Sequence, residues 1–139
     1  MTSSDLASSY MTKARVRLDV LQLLHQRSAY SDVMREAQEV VELATKAMLR
    51  RTGIDPPKWH DVGSIILDHL DRFPAEVQNV LPDVAARSKA LRRERELSFY
   101  GDIDFVPTES YSIDDSLRAI EDARFVVKIA GVVVDQQST

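Results

Sequence analysis

The sequence contains no cysteine, so disulfides, zinc–thiolate centres and thiol catalysis are excluded together. Glycine is scarce, at 4 residues, and neither GxGxxG nor GxxxxGK[ST] occurs, which removes the glycine-rich phosphate cradles. The three histidines, His25, His60 and His69, show no spacing of the HExxH kind, and neither a metal nor a cofactor is expected. No apolar run approaches the roughly 18 residues that a bilayer span requires. The opening MTSSDLASSY has neither the basic n-region nor the apolar core of a signal peptide. A cytoplasmic chain, neither exported nor membrane-embedded, is the expectation. A surplus of positive charge is also missing, since the formal net charge is -4, and this argues against nucleic-acid binding driven by bulk electrostatics.

The 139 residues, 44% hydrophobic and 29% charged, suit one globular domain over 1–139, with fraying expected at 1–4 and 136–139. The chain is organised around Asp32 to Arg51, where Val33, Ala37, Val40, Val41, Ala44, Ala47 and Met48 recur every three or four residues. That period predicts an amphipathic helix. Before it, a helix from Ser4 or Asp5 to Arg27 is expected, capped by Ser3, Ser4 or Asp5 and burying Ala7, Tyr10, Ala14, Leu18, Leu21 and Leu24. The short turn Ser28 to Ser31 forces the two antiparallel, with Ser31 or Asp32 as the second cap.

Beyond Arg51, Gly53, Pro56 and Pro57 end the helix. A shorter helix from His60 or Asp61 to Phe73 stops at Pro74, and another begins near Pro82 and runs to about Tyr100. Its patterned face holds Val84, Ser88, Leu91, Arg95 and Ser98 or Phe99. Gly101 to Tyr111 is a loop, and Ser112 with Asp115 forms a capping-box pattern for a last helix burying Leu117, Ile120, Ala123, Val127, Ala130 and Val134. No segment alternates as a strand does. The expected fold is all-α, an antiparallel helical bundle of four main helices plus a short one.

Two charged features stand out. Glu42 and Lys46 lie four apart in the order that favours pairing along a helix edge. Arg87, Lys89, Arg92, Arg93 and Arg95 crowd within nine residues, partly offset by Glu94 and Glu96.

The run Gln38, Glu42, Ala44, Lys46, Gly53, Pro56, His60 and Asp61 resembles the second helix and following turn of HEPN domains (higher eukaryotes and prokaryotes nucleotide-binding domains). Arg95-Glu96 leading into Phe99, Tyr100, Gly101 and Asp102 resembles the matching helix end of one branch, and Tyr111, Ser112, Asp114 and Asp115 its last-helix entry. The resemblance implies a HEPN-like bundle and, by the same likeness, a homodimer. In ribonuclease members it implies an Arg followed after four to six residues by His, acting without metal across the dimer. Here Tyr100 stands in the His slot after Arg95. A phenol titrating near 10 is a poor acid–base catalyst at neutral pH, whereas imidazole is well placed.

Binding rather than turnover is therefore expected, with Arg95, Tyr100, Lys46, Glu42 and Asp102 forming a nucleotide or phosphate groove and His60 and Arg92 as further candidates. The resemblance implies a minimal nucleotidyltransferase as protein partner, in a toxin–antitoxin or defence-type pair. The residues also fit two alternatives. One is a metal-independent ribonuclease or RNA-binding protein using Arg95 and Tyr100; the other is a dimeric helical interaction module without ligand.

Overall fold

The computed structural model describes residues 2–56, 58 and 61–136, apart from the side chain of Glu96. Four long helices build it: α1 (Ser3–Gln26), α2 (Tyr30–Arg51), α5 (Leu81–Phe99) and α7 (Ile113–Val134). Between them lie the short α3 (Val62–Asp68), a 3-10 turn at Leu70–Arg72, α4 (Ala75–Gln78) and the one-turn α6 (Pro107–Ser110). No strand occurs among the described residues; one isolated bridge joins Asp102 and Phe105.

The expected stripe of α2 is buried in full, from Val33 to Met48. Met34, Gln38, Thr45 and Leu49 are buried with it, because α2 is covered by α1, α7 and α5 at once. Each large apolar side chain removed from water there contributes about 1.5–3 kcal/mol. The Thr45 hydroxyl meets its obligation locally by donating to Val41 O at 2.8 Å.

Cross-helix bonds give the directions. Ser3 Oγ donates to Arg50 O (3.0 Å) and Arg17 Nη1 to Glu36 Oε1 (2.6 Å), so α1 and α2 are antiparallel. His25 Nδ1 lies 2.8 Å from Ser116 Oγ, and Arg15 Nη2 donates to Asp135 Oδ2 at 2.7 Å, so α7 also runs against α1. α5 opposes α7, held by Arg87 Nη1 donating to Asp122 Oδ1 (2.9 Å) while the guanidinium sits 4.2 Å above the Phe125 ring centre.

The helix ends depart from expectation in places. Thr2 caps α1 in a full capping box with Asp5, so Ser3 and Ser4 are helical where fraying was expected. Gln136 is likewise tied down, its side chain donating to Glu76. α2 starts at Tyr30 with Ala29 as an N-cap that makes no side-chain bond, instead of Ser31 or Asp32. The reason lies in α1: Ala29 N and Ser28 N close onto Leu24 O and His25 O, Ser28 takes φ 58°, and Ser31 is carried into the interior.

The helix expected to reach Phe73 breaks at His69, whose φ of -130° leaves the helical region; the following turns then bring Phe73 and Val77 into the core. Asp61 caps α3 by accepting from Gly63 N at 3.0 Å. The Ser112–Asp115 box forms as expected, yet Leu117 points outward and is 49% exposed.

Candidate recognition edge

On α2, Arg35, Glu39, Glu42 and Lys46 follow at steps of four, three and four, which places them on one edge of the helix. α5 runs antiparallel beside that edge. Arg95 Nη2 lies 2.9 Å from Glu39 Oε1, and Nη1 lies 4.0 Å from Glu42 Oε2. Lys46 Nζ closes the row at 3.3 Å from Glu42 Oε1. These side chains retain about a third of their exposure, so each pair is worth only about 0–1 kcal/mol. Their value is positional. Three cationic groups against two carboxylates leave the edge with one net positive charge and the guanidinium held in a fixed plane.

Arg95, Glu42 and Lys46 are thus brought together as expected. Tyr100 is 73% exposed, which excludes a core role. Its ring meets Phe99 edge-on, with centroids 4.9 Å apart, and Arg35 lies 4.1 Å from the Phe99 centroid and 5.9 Å from that of Tyr100. Tyr100 therefore joins the edge through Arg35, one turn before Glu39.

Asp102 is not gathered into the cluster. Its backbone exchanges hydrogen bonds with Phe105, and its carboxylate accepts from Ile103 N at 2.7 Å, so it closes the turn after α5. Arg92 lines a separate depression with Asp61, Lys89 and Arg93. His60 lies outside the described residues. Among those described, no three His, Asp or Glu side chains converge as a metal site.

The sequence reading missed Glu39 and Arg35, although their register with Glu42 and Lys46 is a legible signal. It also missed a pocket of about 220 Å³ between α5 and α7, floored by Met34, Leu91 and Ala119. At its rim Tyr111 Oη donates to Glu94 Oε2 at 2.6 Å. Burial, and then the Glu94 carboxylate, raise the Tyr111 pKa above its ordinary value.

A raised folded-state pKa gives stability that is complete below the unfolded value of about 10 and is lost as pH rises past it. Wild-type protein is expected to lose more melting temperature than Tyr111→Phe between pH 9 and pH 11. Thermal melts across that range check this, and equal losses would remove Tyr111 as the cause.

The folded chain and its charged edge define an all-α domain that presents a guanidinium and an exposed tyrosine at one end of a four-helix bundle. The HEPN domain model matches residues 7–133, and the chain belongs to that family. No curated protein matches the chain. The match runs from the first buried turn of α1 nearly to the end of α7, and membership points to a nucleotide- or RNA-related function. HEPN domains commonly dimerise. Among the described residues no helix is long and apolar enough to cross a membrane.

Proposed function

We propose that this protein is a non-catalytic HEPN-domain binding protein, the partner of a minimal nucleotidyltransferase in a toxin–antitoxin or defence-type pair, and that it acts as a homodimer. The observation that carries this reading is Tyr100, which stands in the slot of the missing catalytic His with most of its surface open. A phenol there is a poor general base at neutral pH but a reachable nucleophile once an enzyme supplies the activated nucleotide. Transfer would join the phenol oxygen to the α-phosphorus, release pyrophosphate and pass the phenolic proton to a base of the transferase. Arg35 beside Tyr100, with Arg95 held at Glu39 one turn further along α2, supplies positive charge for the resulting phosphodiester.

Co-expression with a minimal nucleotidyltransferase, followed by mass spectrometry, tests the reading. One nucleotidyl increment on the Tyr100 peptide, absent in Tyr100→Phe, is the expected result. An unmodified Tyr100 overturns that role. In parallel, metal-free cleavage of single-stranded RNA by purified protein, lost in Arg95→Ala, would replace the binding assignment with a ribonuclease one.

A further inference from the structure

We infer that the groove between α3 and α5 docks an acidic, partly apolar segment of a protein partner. At Gly63 the two helices touch closely, since a Cβ there would lie 3.0 Å from both Cα and Cβ of Ala85. Small side chains on α5 keep the space alongside open. Two hollows, of about 260 and 360 Å³, share Asp61 and Lys89 and so form one continuous trough.

Its two halves differ in chemistry. Near the start of α5 the walls are Leu67, which is 39% exposed, with Pro82 and Ala86. Further along are Lys89, Arg92 and Arg93, all exposed, and none pairs with a carboxylate among the described side chains. Asp61 is the one carboxylate lining the trough among the described residues, and it is committed to the Gly63 N–H.

On a chain of net charge -4, a trough with three cations and one committed carboxylate selects acidic groups. Its apolar half argues for a peptide rather than a nucleic acid, because a phosphate backbone would run over Leu67, Pro82 and Ala86 with Lys89 at the far edge as the one cation lining that half among the described residues. From Pro82 to Arg93 the trough spans about 16 Å along α5, room for about three helical turns or five extended residues. The occupant places small apolar side chains against Ala86 and Leu67 and carboxylates against Arg92 and Arg93. This surface is separate from the Arg95–Glu39 pair, so the inference stands or falls independently of Tyr100.

Nuclear magnetic resonance titration of the full chain tests it. The probes are a 12-residue peptide with Leu and Ala in one half and Glu in the other, the same peptide with Lys for Glu, and a 12-nucleotide single-stranded RNA. Saturable amide shifts at Leu67, Ala86, Lys89 and Arg93 are expected with the acidic peptide alone. Affinity should fall at least tenfold in Arg92→Glu/Arg93→Glu, and also in Ala86→Gln, which fills the apolar half and keeps the charge. The inference is overturned by shifts that do not saturate or lie elsewhere, by tighter RNA binding at these residues, or by an Ala86→Gln variant that binds as well as wild type.

Discussion

Gly101→Ala is expected to destabilise the protein by about 2–4 kcal/mol and to loosen the segment from 101 to 111. Gly101 ends α5 at φ 73°, where a side chain costs roughly 1–2 kcal/mol on conformational grounds alone. An added Cβ would also sit 2.4 Å from Phe105 O and 2.7 Å from Pro107 Cδ, far inside contact distance. Relief requires opening the pair in which Asp102 N donates to Phe105 O (3.0 Å) and Phe105 N to Asp102 O (2.9 Å), each bond worth about 0.5–1.5 kcal/mol.

Gly53 provides the control. It has a similar φ of 82° but nothing within 4 Å of an added Cβ, so Gly53→Ala should cost only the conformational part, about 1 kcal/mol. Denaturant melts of the two variants, with amide exchange across 101–111, compare them. Equal costs would show that the Gly101 turn yields without breaking.

Ile103→Glu is expected to convert the proposed homodimer to a monomer. Beyond Tyr100, the exposed large apolar residues Ile103, Val106, Ile113 and Leu117 follow within one short stretch of chain, and Ile103 is 92% exposed at the tip of the turn that Asp102 closes. Isolated apolar side chains on a surface are ordinary, whereas a concentration of them marks an interface. In a twofold dimer each substitution acts twice. Losing burial of two isoleucines at about 1.5–3 kcal/mol each, with two carboxylates added, weakens dimerisation by at least about a hundredfold. Light scattering during size-exclusion chromatography reads the mass directly. A dimer that survives Ile103→Glu would place the interface elsewhere, and the outward Val16, Val20 and Leu23 of α1 would be the next face to alter.

Local signals in the chain were legible where the physics is local. The α2 stripe, the left-handed Gly53, the Ser112–Asp115 box and the start of α5 near Pro82 all depend on residues within one or two turns of each other. The misplaced elements depend on distant contacts. Leu117 has the right period for burial but lies near the start of α7, beyond the cover that deeper residues such as Ile120 and Ala123 receive. Ser31 looked like a cap because serine usually is one, yet the path out of α1 turned it inward.

The sequence by itself determined the all-α class, the number of long helices and the HEPN resemblance, because helical period, caps and breakers are read from neighbours along one segment. It also identified Arg95, Glu42 and Lys46 as residues worth watching. Only the tertiary structure decided that these three meet, that Glu39 rather than Glu42 is the nearer partner of Arg95, and that Tyr100 is open to solvent beside Arg35. Only the tertiary structure removed Asp102 from that edge and set the trough between α3 and α5. The physical reason is the same in each case. Pairing between segments far apart in sequence is set by how α2 and α5 pack, and that packing comes from the shared apolar core, to which the charged residues themselves contribute little.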